Sequence, residues 1–282
     1  MEKTQIGVDI GGTFTDIVVS HNSYISKIKV LSTPSEYSKG VMTGLSEAIN
    51  RLKIPPENIS EIVHATTLAT NAILENKGAN CCLITTKGFR DVLDIGRLRI
   101  PTLYDPFYDK RKLLIPRHNT LEINERIGSK GEIIEPFSID SMKKTIDFLD
   151  KHNIDSAAIC LINSYRNSTH EDEIAKEINK YLPNIDISLS SKILPHIGEY
   201  ERMSSTVIDA YIKPIVRNYL RNLKKKITSK NIEAPIYIMK CSGGLTTLDH
   251  AEQIPINMIE SGPAAGVLAA SHFLNKFKYQ NL

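Results

Sequence analysis

Nine residues near the amino terminus combine carboxylates, glycines and hydroxyls in an order suited to holding a phosphate group. Residues 8–16 read Val-Asp-Ile-Gly-Gly-Thr-Phe-Thr-Asp, with apolar stretches on both sides. Gly11 and Gly12 predict a tight turn in which the backbone adopts positive φ and approaches a ligand with no Cβ in the way. The N–H groups of such a turn, with the hydroxyls of Thr13 and Thr15, can donate hydrogen bonds to phosphate oxygens.

Two carboxylates border this turn, Asp9 at the end of the first predicted strand and Asp16 at the start of the second. A hard cation such as Mg²⁺ takes carboxylate and phosphate oxygens together as ligands. We therefore predict that Asp9 holds Mg²⁺ through water and that Asp9 and Asp16 are catalytic residues.

The alternative for this segment is an ordinary β-hairpin with a Gly-Gly turn. The preceding Asp and the following Thr-x-Thr-Asp favour phosphate binding instead. Neither of the commoner nucleotide motifs occurs, since the chain has no Gly-Lys pair and no G-x-G-x-x-G.

A second polar group falls at a predicted strand-to-helix turn. It consists of His64, Thr66, Thr67 and Asn71. Two interpretations stay open here: an anionic ligand at the helix N-terminus, or a threonine that only caps the helix.

Two further candidates are weaker. Arg97 ends a charged stretch that is either a solvated loop with internal ion pairs or part of a cleft that neutralises a carboxylate or phosphate. Gly243 and Gly244 follow Ser242 after an apolar run, where they form either a close-approach turn beside a nucleotide or a structural turn.

Alternating strand and helix patterns position these residues, which predicts an α/β fold with a mixed sheet flanked by helices. Residues 86–136 interrupt the alternation with a segment rich in charged residues, Tyr and Pro, which we expect to contain short strands and loops inserted over one edge of the domain. Ser168 and Glu171 have capping-box spacing, and Pro214 is expected to kink or split a long helix. The predicted strands are 5–10, 16–20, 24–30, 62–65, 81–85, 157–162 and 236–239, and the predicted helices are 35–52, 67–76, 140–153, 169–182, 200–229 and 263–273.

The composition is that of an ordinary globular protein. The 282 residues include 35 basic and 32 acidic side chains, a balance too even to indicate a nucleic-acid or membrane partner. No apolar run is long enough to span a bilayer, and no signal peptide is evident. The four cysteines form no C-x-x-C pair and predict reduced thiols, so we expect a cytoplasmic protein.

Four stretches resemble a known family. Residues 9–16 resemble the first phosphate motif of the acetate kinase, sugar kinase, heat-shock ATPase and actin superfamily. Residues 64–72 (His-Ala-Thr-Thr-Leu-Ala-Thr-Asn-Ala), 86–97 (Thr-Lys-Gly-Phe-Arg-Asp-Val-Leu-Asp-Ile-Gly-Arg) and 260–266 (Glu-Ser-Gly-Pro-Ala-Ala-Gly) narrow the resemblance to the hydantoinase A and 5-oxoprolinase family. It covers nearly the whole chain.

The resemblance implies an RNase-H-like fold of the actin/hexokinase type, with ATP and Mg²⁺ as cofactors. It further implies that residues 1–185 form the family's N-terminal domain, with the insertion at about 86–136, and that residues 186–282 begin its main domain. Family members are longer and carry a second phosphate loop after the Ser-Gly-Pro-Ala-Ala-Gly stretch. We therefore expect a second polypeptide or a missing C-terminal region to complete the ATP site, in a hetero- or homo-oligomer.

The activity implied by the resemblance is ATP-dependent opening of a cyclic amide of the hydantoin or 5-oxoproline type. In that chemistry ATP phosphorylates the amide oxygen, and water then attacks the activated carbon. On this view Gly11, Gly12, Thr13, Thr15, Gly243 and Gly244 bind the nucleotide, and His64, Thr66, Thr67, Asn71 and Arg97 bind substrate. Two alternatives remain: a subunit of an acetone- or acetophenone-type carboxylase, and a non-catalytic domain that only binds partners.

Overall fold

The computed structural model describes residues 3–21, 24–33, 36–97, 104–105, 107–108 and 112–277. The chain divides into two compact units. The first unit comprises Met1–Lys77 and Ile215–Leu282, and the second unit comprises Gly78–Pro214. None of the described helices is long and apolar enough to cross a membrane.

The elements alternate along the chain as an α/β pattern requires. The strands are β1 (Thr4–Ile10), β2 (Phe14–His21), β3 (Tyr24–Leu31), β4 (Ile59–Thr66), β5 (Cys81–Thr86), β6 (Thr120–Ile123), β7 (Arg126–Ile127), β8 (Ile133–Glu135), β9 (Ser156–Cys160), β10 (Asp186–Leu189), β11 (Ile236–Met239) and β12 (Leu245–Thr247). The helices are α1 (Tyr37–Leu52), α2 (Leu68–Leu74), α3 (Val92–Ile95), α4 (Ile139–Lys151), α5 (Thr169–Tyr181), α6 (Ser190–Ile193), α7 (Glu199–Thr228), α8 (Leu248–Gln253) and α9 (Ser261–Phe277).

The first unit contains a six-stranded mixed sheet in the order β12-β11-β4-β1-β2-β3. The three predicted amino-terminal strands are confirmed, and they pair antiparallel in sequence. β4 is parallel to β1, and β11 is parallel to β4, so the carboxyl ends of these three strands lie at one edge of the sheet. The strand register places Ile17, Val8 and His64 side by side in the buried face.

Helix α1 covers β2 and β3 so closely that glycine is needed at the contact. A Cβ at Gly44 would lie 2.5 Å from Cδ1 of the buried Ile17. The described part of α1 begins at Tyr37, and its predicted start near residue 35 lies outside the described residues.

The second unit contains a parallel sheet in the order β10-β9-β5-β6 and a separate pair, β7 and β8. Within residues 86–136, β6 pairs with β5 as the edge strand of this sheet, and the expected insertion stays a prediction. The predicted family-domain boundary near residue 185 stays a prediction, since a division by packing need not coincide with one by family.

A buried ion pair organises the carboxyl end of the second unit's sheet. Arg202 is 1% exposed and donates hydrogen bonds to the carbonyl of Leu161 and to the hydroxyls of Ser164 and Ser190, while Nη2 lies 3.8 Å from Oε1 of Glu171. Glu171 also accepts from the N–H of Leu161 at 3.0 Å. The predicted capping box is therefore wrong, because Glu171 turns inward to Arg202 and the N-cap Ser168 makes no capping hydrogen bond.

Helix α7 runs from Glu199 to Thr228 with Pro214 inside it, so Pro214 does not split the helix, and the alternative that it kinks the helix stays a prediction. Three of its basic side chains pair with acidic neighbours within the first unit. Arg221 pairs with Glu252 at 3.0 Å, and Lys224 pairs with Asp249 at 3.0 Å.

Candidate functional site

The loop between β1 and β2 presents backbone donors on an open surface. The Gly11 N–H closes the turn by donating to the carbonyl of Phe14 at 2.9 Å. The N–H groups of Gly12 and Thr13 donate to nothing within the described residues. A Cβ at Gly12 would meet no atom within 4 Å, so this side of the loop is free to receive a ligand.

The predicted positive φ at these glycines is wrong. Neither Gly11 nor Gly12 adopts a positive φ. A Cβ at Gly11 would lie 3.2 Å from the carbonyl oxygen of Phe14, which is tight. The glycines therefore matter for closeness of approach rather than for a left-handed backbone.

The two predicted carboxylates are direct neighbours across the hairpin. Asp9 and Asp16 are paired in the register of β1 and β2, which places their side chains on the same face. Lys29 on β3 lies 2.7 Å from Oδ1 and 2.8 Å from Oδ2 of Asp16. Partial desolvation and then the charge of Asp16 raise the pKa of Asp9, against the opposing effect of Lys29.

Thr15 does not face a ligand. Its side chain is fully buried, and its hydroxyl lies 3.0 Å from the hydroxyl of Ser32. The prediction that Thr15 donates to phosphate is therefore wrong for this structure, whereas Thr13 lies exposed in the loop and its phosphate contact stays a prediction.

The turn from β4 into α2 lies beside the loop, as the parallel pairing of β1 and β4 requires. The N–H and hydroxyl of Thr67 both donate to the carbonyl of Ile10, at 3.1 and 3.2 Å. Asn71 Nδ2 donates to the Thr67 hydroxyl at 3.3 Å. Thr66 is buried, and its hydroxyl accepts from the N–H of Leu68, the first residue of α2. Thr67 and Asn71 thus border the loop, whereas Thr66 serves the helix.

His64 is a core residue, so its predicted contact with substrate is wrong. It is fully buried, with Nε2 2.7 Å from the hydroxyl of Tyr219 and Nδ1 3.3 Å from the carbonyl of Val8. Burial lowers the pKa of His64 to about 4, so the ring is neutral at physiological pH. Nδ1 must then donate to the carbonyl, and Nε2 accepts the hydrogen of the tyrosine.

The turn between β11 and β12 lies at the same sheet edge. It places Gly243 and Gly244 two strands away from β1, or about 10 Å at the usual strand spacing. Gly243 has φ +84°, a conformation that the turn itself requires. The start of α9 closes this edge, since the hydroxyl of Ser261 donates to the carbonyl of Thr66 at 3.3 Å.

Arg97 belongs to the second unit, where it forms an ion pair with Glu201 and lies over the ring of Tyr200 at 5.5 Å. The nearby charged residues follow the same pattern, with Asp91 paired to Arg117 at 2.5 Å. These contacts match the interpretation of a loop with internal ion pairs, and the predicted contact of Arg97 with substrate stays a prediction.

Sequence reasoning missed two residues of the site, Lys29 and Ser32. The signal for Lys29 was the hairpin register, since pairing 16 with 29 follows once both turns are placed. No local motif indicates Ser32, which follows β3 and bonds to the loop.

The residues around the loop fit a phosphate group with one hard cation. The N–H groups of Gly12 and Thr13 have no partner among the described residues, the space beside Gly12 is open, and Asp9, an exposed carboxylate, lies near the end of the strand that leads into the loop. Mg²⁺ commonly takes only one or two protein carboxylates together with phosphate oxygens and water. Asp9 is therefore the residue that would hold the ion, with Asp16 next to it.

The strand order, the antiparallel β1–β2–β3 meander and the glycine loop at its first turn define a domain of the RNase-H-like, actin/hexokinase type. The chain belongs to the hydantoinase/oxoprolinase family. Residues 5–182 match the model of the hydantoinase/oxoprolinase N-terminal region, and residues 202–282 match the hydantoinase/oxoprolinase model.

The matches to curated relatives cover nearly the whole chain. An uncharacterized protein of Methanocaldococcus jannaschii is 40% identical over 274 residues, which are 95% of this chain and 40% of that protein. The caprolactamase subunit alpha of Pseudomonas jessenii is 29% identical over 96% of this chain and 41% of its own length. The acetophenone carboxylase gamma subunit of Aromatoleum aromaticum is 26% identical over 98% of this chain and 40% of its own length. The chain thus spans about two fifths of the length of these relatives.

Two solved structures share the fold. A nucleotide-free acetone carboxylase superposes with a TM-score of 0.87 at 22% identity, covering 99% of this chain and 42% of that chain. The ATP-dependent caprolactamase from Pseudomonas jessenii superposes with a TM-score of 0.84 at 29% identity, covering 95% and 40%. These matches confirm the predicted fold class.

Proposed function

We propose that this chain carries the first phosphate-binding loop of an ATP-dependent enzyme that opens a cyclic amide. The observation that carries the proposal is the loop itself, whose Gly12 and Thr13 N–H groups have no partner in the described part of the chain and lie in sequence between the paired residues Asp9 and Asp16. The family and the relatives named for caprolactam hydrolysis support a cyclic amide as the substrate class.

Each residue of the loop region has a distinct task in this proposal. The two N–H groups bind a phosphate oxygen, and Asp9 holds Mg²⁺ through water. Lys29 engages Asp16, which keeps the two adjacent carboxylates from repelling each other fully when no cation is bound. Thr67 and Asn71 lie next to the loop between β1 and β2, where a substrate amide can approach. Gly243 and Gly244 lie within reach of a ligand as long as a nucleotide.

ATP, when bound, would supply a phosphoryl group that turns the amide oxygen into a leaving group. An amide is a poor electrophile, and this activation removes that obstacle. The contribution of the chain is then positioning and charge neutralisation, which are the main means of catalysis in phosphoryl transfer.

The proposal includes further residues that complete the site, either in a longer chain or in a second polypeptide of a hetero- or homo-oligomer. Helix α9 supports it, because large apolar side chains on that helix are exposed: Val267 at 69%, Leu268 at 45% and Phe273 at 52%. Exposed apolar surface of this kind marks an interaction site. We place the enzyme in the cytoplasm, where its four unpaired cysteines would remain reduced.

Phosphate release by the assembled enzyme tests the proposal. Release that depends on hydantoin, 5-oxoproline or caprolactam, with ring-opened product in equal amount, is the expected result. An Asp147→Asn variant is the matched control for Asp9→Asn, because this exposed aspartate on α4 lies in the other unit. An assembled enzyme that releases no phosphate with any cyclic amide would refute the amide proposal.

The second candidate is a carboxylase subunit, which the acetophenone carboxylase relative favours. In that case phosphate release would depend on a ketone together with bicarbonate. A third outcome, partner binding without any nucleotide turnover, would identify the chain as a non-catalytic domain.

A further inference from the structure

Almost all carbonyl groups of the loop between β1 and β2 are already occupied by protein donors. Thr67 donates to the carbonyl of Ile10, the Gly11 N–H donates to that of Phe14, and Ser32 donates to two others. The Ser32 hydroxyl donates to the carbonyl of Gly11 at 2.9 Å, and the Ser32 N–H donates to that of Thr13 at 2.9 Å. Ser32 therefore contacts the loop at two points from the end of β3.

The direction of the hydrogen bonds around Ser32 follows from its single hydroxyl hydrogen. Because that hydrogen goes to the carbonyl of Gly11, Thr15 must be the donor in the 3.0 Å contact between the two hydroxyls. The bonds thus form a chain from Thr15 to Ser32 to Gly11. Thr15 is fully buried and Ser32 is half-buried, so water competes poorly for these groups.

This chain fixes the direction of one donor. The carbonyl of Gly11 and the N–H of Gly12 belong to the same planar, trans peptide unit, so they point in opposite directions. Holding the carbonyl against Ser32 therefore aims the Gly12 N–H away from the protein, toward the open side of the loop.

We propose that Ser32 is a positioning residue that, supported by Thr15, aims the Gly12 N–H at a phosphate oxygen of the ligand. This inference rests on the proposed phosphate-binding role of the loop. It also gives Thr15 a task that differs from the direct contact expected from its sequence position.

The chain offers a matched control for removing the Ser32 hydroxyl. Ser60 donates through its hydroxyl to the carbonyl of Thr4 at 3.0 Å, also on β1 but at the opposite end of the strand. Ser60→Ala and Ser32→Ala therefore remove the same kind of bond from the same sheet. Only Ser32→Ala should change the loop.

The test is a titration of the ¹⁵N-glycine-labelled chain with Mg²⁺-ATP, followed through the Gly12 amide resonance. We expect the Gly12 resonance to shift in the wild type, with an apparent Kd about tenfold higher in Ser32→Ala. Ser60→Ala should titrate like the wild type. Ser32→Thr, which retains a hydroxyl, should restore most of the affinity.

The outcomes separate this inference from the proposed function. A Gly12 shift with the same Kd in wild type and Ser32→Ala overturns the role of Ser32 and leaves the phosphate loop intact. A wild type in which other glycines shift and Gly12 does not would refute the phosphate site and, with it, the inference. Thr15→Val provides a second variant, for which we expect a smaller loss in the same direction.

Discussion

Replacing Asp9 by asparagine should make the unliganded protein more stable and the enzyme less active. Asp9 and Asp16 are cross-strand neighbours on one face, and Lys29 is engaged with Asp16. Like charges directly opposite in a sheet cost about 0.2–1 kcal/mol. Removing the charge of Asp9 should therefore raise the melting temperature by roughly 1–4 °C in the absence of Mg²⁺.

The pH dependence of this effect has a defined sign. The pKa of Asp9 is raised in the folded state, so the charged carboxylate is the form that destabilises the fold. Below the unfolded pKa the carboxyl is protonated and this destabilisation is absent, and it is complete once pH has risen through the folded pKa. The stability difference in favour of Asp9→Asn should therefore be present at pH 7. It should shrink as pH falls toward the usual range of an aspartate.

Catalysis should respond in the opposite direction. If Asp9 holds Mg²⁺, the asparagine variant of the assembled enzyme should turn over at least about 100-fold more slowly, equivalent to about 2.7 kcal/mol of barrier. Thermal melts with and without Mg²⁺, combined with phosphate-release rates, measure both effects, and Asp147→Asn is the control. Near-normal turnover at saturating Mg²⁺-ATP, or a clear fall in melting temperature, would refute the reasoning.

Three other predictions concern separate features. The 282-residue chain alone should show no ATP hydrolysis and an ATP affinity no better than about millimolar. Without the second phosphate loop that the family resemblance implies, the ligand loses three or four charge-assisted hydrogen bonds, which weakens binding more than a thousandfold. Micromolar, one-to-one binding by calorimetry would contradict this. Tyr219→Phe should lower the free energy of unfolding by about 1–3 kcal/mol, because it leaves Nε2 of His64 buried without a donor. The wild type should also lose about 3 kcal/mol of stability between pH 6.5 and pH 4, because the pKa of His64 is lowered to about 4 in the folded state. Urea titrations that show neither effect would argue against the buried pair. Arg202→Met should cost about 3–5 kcal/mol in urea unfolding because Glu171 keeps its buried charge, and adding Glu171→Gln should recover part of the loss; full stability of the single variant would contradict the ion pair.

The elements of the fold were predictable where local pattern decides them. The meander β1–β2–β3 follows from apolar alternation and from the Gly-Gly turn, and helix α4 follows from its apolar stripe. Short strands were expected in the segment that contains β6, but its bounds and its pairing were not predictable, because its four residues lie in a charged segment and are held by pairing with β5. Local composition carries no information about that partner.

The place of the turn was predictable, but its backbone conformation and several side-chain contacts were not. Gly11, Gly12 and Thr13 connect β1 and β2 where the turn was expected, without the predicted positive φ. Among the side chains, Thr15 and His64 were expected at a ligand but are buried. Both errors have the same cause: alternation along a strand places these residues on the face that packs against distant parts of the chain. Tyr219, which holds His64, lies 155 positions away in sequence, so a polar residue type suggested a ligand where the fold supplies a partner.

The sheet of the first unit has a consequence for folding during synthesis. Strands β4 and β11 are neighbours, yet residues 67–235 separate them and include the whole second unit. At about 5–20 residues per second, a ribosome needs roughly ten to thirty seconds to make that stretch. The second unit is continuous in sequence and can complete its packing in this interval, while β4 waits with one edge unpaired. An unpaired strand edge is a template for pairing with another chain. The nascent chain is therefore prone to aggregation until β11 has left the ribosome and can pair with β4.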